Sequence, residues 1–258
     1  MALPRRLLLA GILLCAAAPS ALAVRLPAFE PGESAAVDAV VDGGEVVLAD
    51  GRHVRLAAIE APHPATAHSR SWPYAGEART ALEKLVVGRR VELRFAGNHG
   101  DRHDRIVAHV FIGKRWVQGE MIRRGLARVA STADNRRGVT ELLAREDRAR
   151  QARHGIWRDR FYAVRAADEA GRYAGSFQIV EGTVVDTAMV DGQLFVNFAA
   201  DWRSGFSLKL APETLRLFRA EGIDAATLKG ERVRVRGWIS GGARPVIDVT
   251  HPEQIERL

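Results

Sequence analysis

Apolar and β-branched positions dominate residues 35–49 and 53–59, and the break between the two runs is Asp50-Gly51. Two such runs separated by a turn pair predict a hairpin. Strands are also predicted at 91–95 and 106–112, joined by a polar loop over 97–104, and residues 111–116 carry a second tight turn at Gly113-Lys114. Helical spacing takes over in three places. Residues 74–87 follow Pro73, stop at Gly88 and place Ala78, Ala81, Leu82 and Leu85 on one face. Residues 118–124 stop at Gly125, a C-cap signal. Residues 140–153 stop before Gly155, with Leu142, Leu143 and Ala149 apolar and the other faces heavily charged. Short strands with intervening helices in this order fit a small Greek-key barrel of the OB type.

The pattern lapses over 163–176, which is rich in Ala, Gly and Arg and reads as a linker. Strand patterns return at 178–186, 194–198, 206–210, 232–239 and 246–249, with a helix predicted at 214–221. The chain is therefore expected to be mainly β with helices. An OB-fold barrel would occupy 24–162, and a second small β-barrel domain 177–258. No sequence repeat relates the halves.

The first 23 residues have a different pattern. Arg5 and Arg6 precede a short apolar run over 7–18, and Ala21-Leu22-Ala23 forms an A-x-A cleavage site. This is expected to be a signal peptide (1–23), with a mature start at Val24 and a periplasmic or secreted destination. The other reading, a membrane anchor, suits it less well, since about 12 apolar residues fall short of the roughly 20 that span a bilayer. Cys15 is the single cysteine and lies inside that segment, so burial rather than disulfides must stabilise the mature chain. No later apolar run has membrane length, so no membrane span is expected in the mature chain.

Charge divides the chain unequally. Residues 24–165 hold 25 Lys/Arg against 18 Asp/Glu, whereas residues 166–258 hold 11 against 13. A positive field over the first half attracts polyanions, which points to nucleic acid as a partner. Solubility and an anionic membrane surface are the alternatives.

The candidate chemistry lies in that basic half. Residues 55–63 read Arg-Leu-Ala-Ala-Ile-Glu-Ala-Pro-His, and residues 101–105 read Asp-Arg-His-Asp-Arg. These segments resemble the active-site segments of the thermonuclease (staphylococcal-nuclease-like) family, and the resemblance covers about residues 36–160. It implies an OB-fold barrel that hydrolyses nucleic-acid phosphodiesters with Ca²⁺, a glutamate general base and two arginines. Arg55 and Arg105 fall on the two arginines, whose planar guanidiniums can hold phosphate oxygens in a bidentate way. Glu60 falls on a metal-binding aspartate, and Ala61 keeps a backbone carbonyl that the family uses as a ligand.

Two positions depart from the family pattern. In the turn Asp42-Gly43-Gly44-Glu45, Gly44 stands where the other metal aspartate belongs. Glu45 is expected to point to the opposite face. His63 stands in place of the glutamate base. Histidine can serve as a base near neutral pH, but a position beside two guanidiniums is expected to depress its pKa. Ca²⁺ takes about six to eight oxygens, so a set reduced to one sure carboxylate should hold it poorly. A Zn²⁺ site is a further possibility, if Glu60 and two or more of His63, His68, His99 and His103 converge near Asp101 and Asp104.

Among the aromatics, Trp72 is the expected substrate-facing ring, with Tyr74 and Trp116 as further stacking candidates and Trp157 read as core. Residues 194–198, Asp201-Trp202 and the ending 250–255 are similar to a C-terminal β-barrel appended to some bacterial thermonuclease-like proteins. Its partner is open, and it reads as a structural or protein-contacting domain. Two functional readings therefore stand. One is an exported nuclease with an adapted or weakened metal site. The other is a non-catalytic module that binds nucleic acid or protein on the nuclease fold.

Overall fold

The computed structural model describes residues 27–258, apart from 68, 202, 204, 242 and 243. The signal expected at 1–23 lies outside the described residues. The first half contains β1 (Glu30–Asp42), β2 (Glu45–Leu48), β3 (His53–Leu56), β4 (Ile59–Glu60), α1 (Ala75–Val86), β5 (Arg90–Phe95), β6 (Ile106–Ile112), β7 (Arg115–Trp116), α2 (Val117–Arg123), β8 (Arg128–Val129) and α3 (Val139–Gln151). Strands pair in the order β3-β2-β1-β5-β6, and a parallel pairing of β6 back onto β3 closes them into a barrel. This is the expected OB fold.

Strand alternation sends Val46, Leu48, Val54, Leu56, Val91 and Leu93 inward. Helix α1 seals the barrel with Ala78, Leu82, Leu85 and Val86 and ends at Gly88, whose φ of 71° few other residues tolerate. The β1–β2 turn needs Gly43 for another reason. A Cβ there would lie 2.7 Å from the Ala78 Cβ and 2.9 Å from the Ala61 Cβ, so only glycine lets the turn pack under α1.

The second half contains β9 (Arg165–Ala166), β10 (Phe177–Thr183), β11 (Asp186–Val190), β12 (Gln193–Asn197), β13 (Ser207–Leu210), α4 (Pro212–Ala220), β14 (Arg232–Ser240), β15 (Val246–Val249) and β16 (Ile255–Arg257). They form an eight-stranded sheet in the order β11-β12-β13-β15-β14-β10-β9, with β16 added on β14. A second hydrophobic core, built from residues such as Val180, Val196, Leu208, Phe218, Val235 and Ile247, lies against it. The segment 163–176 is packed rather than bare. β9 pairs with β10, and a 3-10 stretch, Ala167–Tyr173, buries Ala170 in this core. Short 3-10 and two-residue strand elements of this kind leave little periodic trace in a sequence.

The two halves meet along β14. Arg232, Arg234, Arg236 and Trp238 occupy one face of that strand, while Val233, Val235 and Ile239 fill the second core. Arg236 docks on α3: its Nη1 donates to Glu146 Oε2 at 2.7 Å and to the Val129 carbonyl at 3.2 Å, and its Nη2 donates to Glu256 Oε1 at 2.6 Å. The other Glu146 oxygen accepts the Val129 N–H at 2.6 Å. The Arg236 and Glu146 side chains are only 2% and 4% exposed. Arg128, next to Val129, donates to the Phe177 carbonyl at 3.2 Å and lies over the Phe177 ring at 4.9 Å. Arg136 adds ion pairs to Glu253 and Glu221, and Ser131 Oγ lies 2.7 Å from His251 Nε2.

Removing one member of a buried ion pair leaves the other charged and unpaired, at a cost of about 3–5 kcal/mol. Arg236→Ala is expected to lower stability by that amount in urea denaturation. A loss below about 1 kcal/mol, the range of exposed pairs, would mean that water reaches the seam.

Candidate functional site

Strands β2, β3 and β4 and the loop before β6 surround a cleft of about 750 Å³. Asp42, Glu45, Arg55, Glu60, His63 and Arg105 line it, and Trp238 of the second half stands at the same cleft. Glu45 pairs directly with Arg55 in the β2–β3 register. Opposed residues on antiparallel strands share a face, so Glu45 points into the cleft. The expectation that it would face the other way is corrected here. Gly44 lies in the turn rather than in the strand, and the β1–β2 register shifts just before it, so simple alternation does not carry through.

Arg105 is clamped on two sides. Its Nη1 donates to Glu45 Oε2 at 2.5 Å, and its Nε and Nη2 donate to Asp101 Oδ2 at 2.8 and 2.7 Å. Asp101 also folds the loop, since its Oδ1 accepts the backbone N–H groups of His103 at 2.9 Å and Arg105 at 3.2 Å. Burial pushes the Asp101 pKa up, but Arg105 and these N–H donors outweigh it and hold the carboxyl below its usual range. Glu45 has a second partner in His53 Nδ1, at 2.6 Å.

His63 sits among carboxylates. Its Nε2 lies 2.7 Å from Glu60 Oε1, and its Nδ1 lies 3.8 Å from Asp42 Oδ2. Asp42, and then Glu60, raise its pKa to about 9 against the opposing effect of burial. The expected depression by Arg55 and Arg105 is therefore reversed. The direct ion-pair partners of the ring are anions, and Arg105 is neutralised by its own carboxylates. A protonated imidazole has no free lone pair with which to accept a proton, so a pKa raised in this direction works against His63 as a base at neutral pH. Burial raises the Asp42 pKa, but His63 and the Gly44 N–H, which donates to Asp42 Oδ1 at 2.7 Å, bring it net below the usual value. Arg55 completes the group, with Nη2 3.8 Å from Glu60 Oε2.

The metal expected from the resemblance does not fit this donor set. Gly44 offers no side chain, Asp42 and Glu60 share His63, and Glu45 and Asp101 are bound to Arg105. Among the described residues, no group of three or more His, Cys, Asp or Glu side chains is arranged to hold a metal ion. The Zn²⁺ set is not assembled there either. His99 stacks on Phe95 with ring centroids 3.8 Å apart, His103 accepts from Arg102 Nε at 3.1 Å in an exposed loop, and His68 lies outside the described residues.

The aromatic expectations change as well. Trp72 packs its ring 4.7 Å from His63 and 5.3 Å from Phe161, and its backbone N–H donates to the His63 carbonyl at 2.9 Å. It braces the His63 loop and is not among the residues that line the cleft. Trp116 is buried against Phe111, and Trp202 lies outside the described residues. The ring that does line the cleft, Trp238, is 58% exposed. Its signal was present in the sequence, because Trp238 continues the polar row Arg232, Arg234, Arg236 rather than the apolar row of its strand.

A closed OB barrel that carries one arginine on β3 and another in the loop before β6, both at a single cleft, defines a nuclease-like domain. Residues 53–159 match the family model described as Staphylococcal nuclease homologue, and this part of the chain is similar to thermonuclease-like proteins. It is 34% identical over 113 residues to "Probable endonuclease LCL3" of Leptosphaeria maculans, covering 41% of this chain and 37% of that protein. It is 33% identical over 114 residues to "Probable staphylococcal-like nuclease CAN1" of Oryza sativa subsp. japonica, covering 44% and 31%. It is 23% identical over 121 residues to "Thermonuclease" of Staphylococcus hyicus, covering 46% and 72%. The match thus spans about a third of the length of the first two relatives.

The His63 pKa sets a sign for stability. A histidine whose pKa is raised from 6.5 to about 9 on folding contributes fully below pH 6.5, and that contribution is lost as pH rises through about 9. The difference in melting temperature between wild type and His63→Gln should therefore narrow from pH 6.5 to beyond pH 9. A gap that holds constant would show that folding does not raise the pKa of the ring.

Proposed function

We propose that this chain is an exported thermonuclease-like protein that grips nucleic-acid phosphodiesters through Arg55 and Arg105, with calcium-dependent hydrolysis weak or lost. One observation carries the reading. The cleft brings both guanidiniums together, while every carboxylate beside them is already engaged by His63, His53 or an arginine. A guanidinium has five N–H donors. Arg105 spends three of them on Glu45 and Asp101, so two remain for the oxygens of an incoming phosphate. Arg55, 36% exposed and 3.8 Å from its carboxylate, is the freer of the two. The basic excess of residues 24–165 would draw a polyanion to this half.

Bound Ca²⁺ would polarise the phosphate and orient water in the family's reaction. No hydrolytic step is assigned through it here, because the donor set does not suit it. The second reading, a non-catalytic module that binds nucleic acid or protein, is favoured by the same saturation of carboxylates. Periplasmic or secreted location is part of the proposal and rests on the charged, apolar and A-x-A pattern of residues 1–23. Amino-terminal sequencing of the exported protein should find Val24 first. An intact Met1 in the cell would contradict export.

The catalytic test is hydrolysis of single-stranded DNA and RNA with Ca²⁺, Mg²⁺, Mn²⁺, Zn²⁺ or EDTA. Turnover is expected far below the roughly 1–10³ per second of ordinary enzymes. Arg105→Ala should reduce any residual rate by about 10²–10³. Gly44→Asp combined with His63→Glu should raise calcium-dependent cleavage. A Cβ at Gly44 would meet Ala61 and Asp42 only at 3.6 Å, so a side chain fits there. Ordinary turnover in the wild-type protein would overturn the weak-catalysis reading.

A further inference from the structure

Trp238 belongs to neither core. Among the described residues it is the most exposed tryptophan or phenylalanine, it projects from the second half, and it lines the cleft of the first. A single exposed apolar side chain is ordinary on a protein surface; what sets Trp238 apart is that its exposed indole lines the cleft that also holds Arg55 and Arg105.

Its placement is fixed from three directions. Trp238 is paired with Phe177 across β10–β14, and Phe177 receives Arg128 through its carbonyl and its ring. Arg128 in turn is paired with Glu60 across β4–β8, so two strand pairings joined by the Arg128 side chain connect the Trp238 backbone to the floor of the cleft. Arg236, two residues earlier on the same face, is locked to Glu146 and Val129. Gly237, between them, lies so close to Ile247 that a Cβ would come within 2.6 Å of Cγ2. The strand is therefore pinned on both sides of the seam, and the ring is held where it can be reached from the cleft.

We infer that Trp238 is a stacking platform for a nucleobase of a single-stranded nucleic acid whose phosphate is held by Arg55 and Arg105. The inference rests on the phosphate-binding reading above and adds the substrate class and a role for the second half. The chemistry favours this ligand over others. A base joined to a phosphate offers one anionic group and one flat aromatic face, and the cleft offers guanidiniums and one flat aromatic face. In an intact duplex the base faces are covered by neighbouring bases, so the ring selects strands whose bases are free. It also gives the second half a use that does not need positive charge, in keeping with its 11 Lys/Arg against 13 Asp/Glu.

The test is fluorescence anisotropy of labelled oligodeoxythymidine and oligouridine of equal length, each with an abasic counterpart. Wild type, Trp238→Ala, Trp238→Phe and Arg105→Ala full-length proteins would be compared in EDTA. Stacking on an aromatic residue predicts that Trp238→Ala binds roughly 5- to 100-fold more weakly, while Trp238→Phe keeps most of the affinity. The abasic strands should bind wild type and Trp238→Ala equally, and whichever base-bearing strand binds more tightly identifies the source, DNA or RNA. An unchanged affinity in Trp238→Ala, with binding lost in Arg105→Ala, would overturn the stacking role and leave the phosphate reading intact. An equal loss on base-bearing and abasic strands would overturn it too, by assigning Trp238 a structural part. No binding of any strand by wild type would overturn both.

Discussion

The buried pair between Arg236 and Glu146 is the interaction on which the relative placing of the two halves depends. Its geometry meets the demand that a desolvated charge makes, which is several hydrogen bonds to each partner. Glu146 accepts from Arg236 and from the Val129 N–H, while Arg236 also reaches the Val129 carbonyl and Glu256. Val129 is thus held on both its polar atoms. The strand it belongs to, β8, is the one that pairs with β4 and so with Glu60. A hydrophobic seam would have tolerated sliding. A directional one fixes register, so the floor of the cleft and the strand that bears Trp238 share a common anchor.

The cleft itself is built from charges that answer one another. Asp101 gathers its loop by accepting two backbone N–H groups and then uses its remaining oxygen to aim Arg105. Glu45 steadies Arg105 from the strand opposite, and His63 bridges Asp42 and Glu60. A site of this kind is pre-organised but nearly self-neutralised. An incoming anion meets oriented donors rather than a bare positive surface. An incoming cation meets carboxylates whose lone pairs are largely taken, which is the physical reason that a calcium ion suits it poorly.

The first barrel was legible in the sequence because its strands alternate and its helices stop at glycines. Residues 74–87 and 106–112 lie within a residue of α1 and on β6. Arg55 and Arg105 were legible because each sits in a distinctive segment, and the structure does bring them to one cleft. What escaped depended on tertiary context. Glu45 was misdirected because a register shift at the β1–β2 turn resets the alternation. The sign of the His63 shift was wrong because sequence spacing suggested arginine neighbours, whereas folding supplies Asp42 and Glu60. β11, which is mostly exposed, and the three-residue β16 carry too little alternation to be seen. Trp238 could not be related to the first half without the seam that places it there.

The parallel pairing of β3 with β6 decides when the two cleft arginines come together. Arg55 lies on one of these strands and Arg105 immediately precedes the other, with α1 and β5 between them in the sequence. Non-local pairings form late, since the loop they close must lose its freedom before the contact stabilises it. The two guanidiniums therefore meet only when the barrel shuts. Until then a nascent chain carries its positive charges dispersed, without the fork that fits a phosphate. Closure of the ring of strands is therefore the step that assembles the fork on which the proposed phosphate binding rests.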